Sequence, residues 1–207
     1  WVTDWDPGKT KALIEERIAN KQRTFTGAYI ITNQGIRAPK GQVVVDHFLT
    51  PLWTVGKTDV ANVASKHLSL EKTHQALSKF KGWGGGGFMA YEVVTDLNYT
   101  PVLEQAIDKH TWANAGPGAV RGLNRIFDRV LYKNIPPKQS NREMYDVKYY
   151  AKRYLGDHVD IEQVDMRAIE HSLCEWDKYE RVRLKQGRPR SKFKPNYSSM
   201  YTQKGEV

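Results

Sequence analysis

The sequence predicts a single, mostly α-helical domain, and three observations lead to this prediction. Apolar residues recur with helical spacing over several stretches, and capping residues or proline- and glycine-containing turns separate them. One short stretch, residues 24–32, is rich in β-branched and aromatic residues and could form a short strand or a buried loop. With 207 residues, the chain fits one domain (1–207) with a single hydrophobic core.

The helical stretches follow one another along the whole chain. Ser69 is the predicted N-cap of a central helix, because a serine hydroxyl can accept a hydrogen bond from a free amide of the first turn. Residues 43–53 are apolar on one helical face, although their β-branched run weakens that assignment. We predict helices over residues 11–23, 43–53, 59–67, 70–80, from 90 onward, 120–131, 144–154 and 164–183.

Two glycine turns interrupt these helices. In the first, Leu77 is followed by Gly82-Trp83-Gly84 and then by Ala90, which is the form of a helix-hairpin-helix with a longer glycine run. The second turn covers residues 115–119. Glycines at such positions let backbone amides approach a DNA phosphate beside a helix N-terminus, so Gly84 and Gly118 are candidate phosphate contacts. A plain interhelical turn is the alternative.

Arginines follow the second turn at regular intervals. Arg121, Arg125 and Arg129 are four residues apart, and we expect them on the outward side of their helix.

The charge distribution favours a polyanionic partner. The net charge is 32 − 23 = +9, and residues 178–194 contain eight basic residues against one acid, Glu180. Aromatic residues are interleaved with these charges, which suits phosphate backbones and unstacked bases. The basic C-terminal extension, residues 184–207, therefore supplies Arg188 and Arg190 as candidate DNA contacts. A solvated basic tail is the alternative interpretation.

Several function classes are disfavoured. The two Gly-Lys-Thr triplets lack the upstream glycine of a P-loop, because Thr3 and Pro51 occupy that position. The single cysteine, Cys174, excludes an internal disulfide, and the histidines show no zinc-ligand spacing. No run of about 18 apolar residues is present. We therefore expect a cytoplasmic protein without a membrane partner.

The densest chemistry lies in residues 165–183. On one helix, Glu170, Asp177, Lys178 and Arg181 fall close to one side, and Glu175 neighbours His171 and Lys178. Such a face could bind a polyanion through its cations and position a base through its carboxylates. Ordinary surface ion pairs are the alternative.

Several blocks resemble an all-helical family from thymine-hypermodifying bacteriophages. One branch comprises the α-glutamyl/putrescinyl thymidine pyrophosphorylases, or amino acid:DNA transferases, and a sister branch is the helical domain of 5-hydroxymethyluridine DNA kinases. The last block, which ends in Gly187-Arg188-Pro189, is the most specific. The matching blocks are residues 25–31, 82–97, 116–122 and 170–189.

This resemblance implies a fold related to the helix-hairpin-helix DNA glycosylases and a transferase activity. In the family's pathway, an amine from an amino acid or polyamine displaces pyrophosphate from a thymine analogue in DNA. The implied catalytic carboxylates are Glu175, Glu170 and Asp96, and by analogy with glycosylases Asp108.

The other implied roles follow from the same chemistry. Lys178, Arg181 and Arg121, with Mg²⁺ as an optional metal, would stabilise the pyrophosphate. Tyr91, Tyr179 or Trp83 would stack on an unstacked base. Two alternatives remain: a non-catalytic helical domain that presents DNA to a separate kinase domain, and a glycosylase that excises the modified base.

Overall fold

The computed structural model describes residues 4–25 and 30–187, and over these ranges the chain is helical without any β-strand. The prediction of a mostly α fold is confirmed. The helices are α1 (Pro7–Ala19), α2 (Lys40–Gln42), the π-helical segments π1 (Val43–Leu49) and π2 (Leu52–Gly56), α3 (Lys57–His67), α4 (Leu70–Ser78), α5 (Phe88–Leu97), α6 (Pro117–Ile126), α7 (Pro137–Leu155) and α8 (Met166–Arg183).

Residues 40–67 form one continuous helical segment, where the sequence predicted two helices. Gly56 lies within this segment, and a Cβ built there would be 2.4 Å from the Phe80 ring, so this glycine serves helix packing. Gly8 lies in the first turn of α1. Both Gly-Lys-Thr triplets are therefore helical and cannot wrap a phosphate as a P-loop does, which agrees with their rejection from the sequence.

The stretch predicted as a strand or a buried loop forms no strand at its described positions. Phe25 and Ile31 pack against the cluster formed by Val43, Val44 and Phe48. Burial against a helix explains the apolar composition of this stretch without strand pairing.

Side-chain caps define where two important helices begin. The Ser69 hydroxyl accepts a hydrogen bond from the Lys72 amide at 3.2 Å, as the sequence predicted for α4. The Asp165 carboxylate accepts one from the Ala168 amide at 2.8 Å at the start of α8. These caps satisfy amides that lack an intrahelical partner.

Two hydrophobic clusters form the centre of the domain. One packs α6, α7 and α8 around Leu123, Met144 and Leu173. The other packs α3, α4 and α5 around Leu77 and Val94. Trp112, in the connection between α5 and α6, contacts both clusters and therefore joins the two halves of the helical core.

The predicted outward arginine face is wrong. Arg121 donates to the Asp177 carboxylate at 2.8 Å and Arg125 at 3.2 Å, and Asp177 of α8 is fully buried. Helix α6 ends at Ile126, and Arg129 beyond it forms a two-pronged pair with Glu143 at 2.6 Å. A buried carboxylate needs ionic partners, so these arginines point into the domain.

No helix within the described ranges is long and apolar enough to cross a membrane.

A candidate active-site cleft

A cleft of about 630 Å³ lies where the N-terminal ends of α5 and α6 meet the middle of α8. Its volume is within the range of small-molecule sites. The lining residues come from two glycine turns and three helices, which are far apart in the chain. They are Gly86, Phe88, Tyr91, Glu92, Asn114, Gly116, Pro117, Gly118, Arg167, Glu170, His171, Cys174, Glu175 and Lys178.

Glu170 is a buried carboxylate of this cleft. One oxygen accepts the Gly116 amide at 3.3 Å, just before the first turn of α6, and the other accepts from Arg167 at 3.1 Å. Burial raises the pKa of the Glu170 carboxyl, and the Gly116 hydrogen bond and the Arg167 charge offset only part of this effect. A carboxylate with a raised pKa is a better proton acceptor than an ordinary surface glutamate.

Arg167 connects two walls of the cleft. Its Nη2 atom lies 3.1 Å from both carboxylate oxygens of Glu92 on α5, while Nη1 pairs with Glu170 on α8. The guanidinium carbon lies 4.9 Å from the centre of the Tyr91 ring. Arg167 therefore holds a positive charge at a fixed place between two carboxylates and one aromatic face.

Tyr91 contributes a buried hydroxyl group. The residue is 3% exposed, and its ring makes edge contacts with His74 and Trp112 at centroid distances of 6.3 and 5.6 Å. Its hydroxyl oxygen is buried without a partner in hydrogen-bonding geometry in the described structure, although the Arg167 guanidinium lies near it. Burial raises its pKa, so the phenol stays neutral and can donate a proton in a hydrogen bond.

The environment of Tyr91 corrects its predicted role. The ring lies among Arg167, His74 and Trp112, so no face is open for a nucleobase to stack on. The hydroxyl oxygen is buried as well, so a ligand would reach it only after neighbouring side chains move. A buried hydroxyl without an acceptor for its proton costs about 1–3 kcal/mol.

Three polar side chains of α8 line the outer part of the cleft. Glu175 forms a close ion pair with Lys178 and lies 3.6 Å from the imidazole of His171. The hydrogen bond with Glu175 raises the pKa of Lys178, which keeps the ammonium charged. All three side chains are about half exposed, so solvent screens their charges.

Cys174 lies on the same wall and does not have the character of a nucleophile. Burial raises the pKa of its thiol, so the thiolate is disfavoured. A Cβ built on Gly118 would be 2.5 Å from its sulfur atom, which places Cys174 at the contact between α6 and α8.

The structure brings together five of the residues predicted from the sequence, namely Glu170, Glu175, Lys178, Tyr91 and Gly118.

The two other predicted carboxylates lie elsewhere. Asp108 accepts hydrogen bonds from the Ser69 hydroxyl and from the Leu70 and Glu71 amides at 2.7–3.0 Å, so it caps α4. Asp96 is exposed near the C-terminal end of α5 and does not line the cleft. The glycosylase analogy for Asp108 is therefore replaced by a structural role.

Several predicted binding residues also lie outside the cleft. Arg121 is paired with buried Asp177, and Trp83 donates to the Phe48 carbonyl at 3.2 Å within the apolar core. The Arg181 guanidinium packs against Gly187, and Tyr179 is exposed, but neither lines the cleft. The predicted DNA contacts Arg188 and Arg190, with most of the basic extension, fall outside the described residues.

The sequence indicated Gly84 and Gly118 as candidate phosphate contacts, and the structure places both where the protein packs against itself. Neither has a positive φ; in the first turn that conformation occurs at Gly82, Gly85 and Gly87. A Cβ on Gly84 would be 2.6 Å from the Ser78 carbonyl oxygen, and Gly118 packs against Cys174. These two glycines therefore permit close packing within the protein, and the helix-hairpin-helix interpretation stays a prediction.

Sequence reasoning missed Arg167, Glu92 and Asn114. The spacing of Arg167 and Glu170 was a visible signal, because residues three apart on a helix are neighbours. Glu92 is 75 positions from Arg167, so only the tertiary structure could join them.

The cleft does not fit a metal site. No three His, Cys, Asp or Glu side chains of residues 4–25 and 30–187 converge as metal ligands. Glu92 and Glu170 both pair with Arg167, which supplies the positive charge a metal would otherwise bring. The cleft residues therefore do not form a site for the predicted optional Mg²⁺.

Comparison with known proteins gives one family. A family model described as "5-hmdU DNA kinase, helical domain" matches residues 1–188, which include the whole cleft. No curated protein and no solved structure matches the chain. The match covers most of the sequence, and it agrees with the all-helical fold and with the resemblance found in the sequence blocks. The chain belongs to the family of 5-hmdU DNA kinase helical domains.

Proposed function

We propose that this domain acts in thymidine hypermodification by binding a 5-substituted deoxyuridine of DNA in the cleft, where an amine displaces pyrophosphate from the 5-methylene carbon. One observation carries this proposal: the buried, hydrogen-bonded Glu170 carboxylate shares a nucleoside-sized cleft with Arg167 and Lys178. This set combines a proton acceptor with two cations, which are the two things the transfer needs.

The base must leave the DNA stack to reach this cleft. The cleft is recessed between α5, α6 and α8, and a base paired within a duplex could not enter it. Unstacking costs a few kcal/mol, which contacts inside the cleft would repay. The half-exposed Phe88 ring lies on the cleft wall, where the extruded base can contact it.

The charge balance of the cleft favours a cationic co-substrate. Three glutamates, at 92, 170 and 175, face two permanent cations, Arg167 and Lys178. An amino acid or polyamine brings an ammonium group that would offset the remaining negative charge. The leaving pyrophosphate fits the outer part of the cleft, near Lys178.

The proposed step transfers one proton and exchanges one bond at the 5-methylene carbon. The ammonium of the co-substrate gives a proton to Glu170, with Glu175 as the second candidate. The free nitrogen lone pair then attacks the 5-methylene carbon. The carbon–oxygen bond breaks, and its electron pair leaves on pyrophosphate, whose charge Lys178 stabilises. No covalent enzyme intermediate is needed, which suits a site whose cysteine is held as a thiol.

A second function has support from the family match. As the helical domain of a 5-hmdU DNA kinase, the chain could hold the hydroxymethyl base for phosphorylation by a separate kinase domain. In this case the cleft binds the base, but Glu170 performs no proton transfer with an amine.

Nucleoside analysis by mass spectrometry separates these functions. The protein is incubated with DNA that contains 5-pyrophosphoryloxymethyl-deoxyuridine and with a mixture of amino acids and putrescine. We expect amine-substituted nucleosides and an equal amount of released pyrophosphate, both lost in Glu170→Gln. Abasic sites would indicate a glycosylase. Tight binding of hydroxymethyl DNA without any new nucleoside would assign the presenting role and refute the transferase proposal.

A further inference from the structure

The outer face of α7 carries a stripe of basic and aromatic side chains. Five residues recur at intervals of four and three, which places them along one line of the helix: Lys138, Arg142, Tyr145, Tyr149 and Lys152. All five are exposed, and Tyr145 and Tyr149 keep 52% and 69% of their surface. We call these five residues the α7 stripe. None of them lines the active-site cleft.

A concave surface runs beside the α7 stripe. It has a volume of about 420 Å³ and is walled by Tyr145, Tyr149 and Lys152 on one side and by residues 161 and 162 on the other. The buried Lys148 also lines it, where its ammonium donates to the Val164 carbonyl and lies 3.4 Å from His110 Nδ1. Exposed aromatic rings flanked by exposed cations are a favourable surface for an anionic chain with planar groups.

Exposed basic side chains outnumber the acidic side chains near the α7 stripe. Arg153 adds a fourth exposed cation to Lys138, Arg142 and Lys152. Three acids of the described residues are close: Asp146 on the same helix, Asp160, which acts on Lys152, and Glu162, which pairs with Lys152 at 2.7 Å. The remaining acid of α7, Glu143, is turned inward and paired with Arg129.

We propose that the α7 stripe binds unpaired DNA, with bases stacked on Tyr145 and Tyr149 and phosphates on the flanking cations. Tyr149 meets Tyr150 edge to face at 5.7 Å, a contact that orients the ring and leaves a face for a base. The 14 residue steps from Lys138 to Lys152 rise by about 21 Å, the length of about six stacked nucleotides. This falls within the range of single-strand sites.

This surface is distinct from the proposed base-binding cleft and takes unmodified strands. A strand opened around an extruded base exposes unpaired nucleotides, and α7 offers a place for them. The inference does not rest on the transferase chemistry, because any unmodified single strand should bind the stripe.

Fluorescence anisotropy with an unmodified 12-nucleotide single strand and the matching duplex tests the proposal on the full chain. We expect Tyr145→Ala/Tyr149→Ala to weaken single-strand binding by at least about tenfold, since loss of one stacked base costs about 5- to 150-fold. Tyr145→Phe/Tyr149→Phe keeps the rings and should bind within about threefold of wild type. The control Tyr99→Ala/Tyr132→Ala removes two tyrosines that are 76% and 71% exposed elsewhere and should change nothing.

Salt dependence tests the charged part of the stripe. Lys138→Gln/Arg142→Gln should reduce the slope of log affinity against log salt by about 1.4, since each phosphate contact on a single strand contributes about 0.7. If Tyr145→Ala/Tyr149→Ala binds the single strand as tightly as wild type, the proposal is wrong. It is also wrong if the wild type prefers the duplex. A changed sedimentation mass in that variant, with unchanged strand binding, would assign the stripe to protein association instead and refute it.

Discussion

Arg167 on α8 and Glu92 on α5 are 75 positions apart in the chain, yet Nη2 of the arginine lies 3.1 Å from both oxygens of the glutamate. The same guanidinium pairs with Glu170 through Nη1. One side chain thus fixes the relative positions of two helices that form opposite walls of the cleft. This relationship makes the site a product of α5 and α8 together.

Replacing Arg167 tests this connection. Arg167→Ala leaves Glu92 and Glu170 close together without their shared cation. We expect the free energy of unfolding to fall by about 2–3 kcal/mol. This loss is at the low end for a buried ion pair, because the Arg167 side chain is partly exposed. Urea denaturation measures this loss. Arg167→Ala/Glu92→Gln removes one of the stranded charges and should recover part of it. Equal stability of wild type and Arg167→Ala would show that the pair is not structural.

Glu170→Gln should separate catalysis from stability. Because the folded-state pKa of Glu170 is raised, its stabilising contribution is fully present below the unfolded-state pKa and is lost as pH rises through the folded-state pKa. The glutamine variant lacks this loss, so near neutral pH it should be at least as stable as wild type. Its transfer rate should fall by about 10²–10⁴-fold, with partial recovery at higher pH as free amine accumulates.

Thermal denaturation across pH and a transfer assay on the same samples give both measurements. Glu175→Gln is the matched control on the same helix, because that carboxylate is half exposed and lies in the outer part of the cleft. A large stability loss in Glu170→Gln, or a larger rate loss in Glu175→Gln, would contradict the assignment of Glu170 as the proton acceptor.

Tyr91→Phe removes a buried hydroxyl that has no hydrogen-bonding partner in the described part of the chain. Without this hydroxyl, folding no longer has to remove an unpaired polar group from water. The ligand-free protein should therefore be as stable as wild type or more stable, by up to about 1 kcal/mol. Affinity for DNA with the modified base should stay close to that of wild type, because the hydroxyl is buried beneath the cleft surface. A clear loss of affinity would show that the hydroxyl becomes accessible and donates to the bound base.

The contact between Gly118 and Cys174 predicts a packing defect that a second substitution can relieve. Gly118→Ala places a Cβ 2.5 Å from the cysteine sulfur and should lower the free energy of unfolding by about 1–3 kcal/mol. Gly118→Ala/Cys174→Ala should recover part of this loss in chemical denaturation. Gly86→Ala, where a Cβ meets nothing within 4 Å, is the neutral control. A neutral Gly118→Ala would reopen its interpretation as a phosphate contact.

Local sequence patterns were sufficient to predict the helical class and much of the helix order. Ser69 caps α4 as predicted, and the long C-terminal helix extends from Met166 to Arg183, close to the predicted 164–183. Periodicity and capping act within a few residues of one another, so they can be read from sequence alone. The same local spacing placed Glu170, Glu175 and Lys178 on one helix.

Only the tertiary structure decided which of these groups form a site. Arg121 was predicted to face a ligand but turns to Asp177, since a fully buried carboxylate must find a cation. Asp108 caps a helix that begins 38 positions earlier in the chain. Glu92 lines the cleft, where it pairs with Arg167 of another helix. Contacts of this range depend on how helices pack, and helical periodicity carries no information about which distant helix will supply the partner.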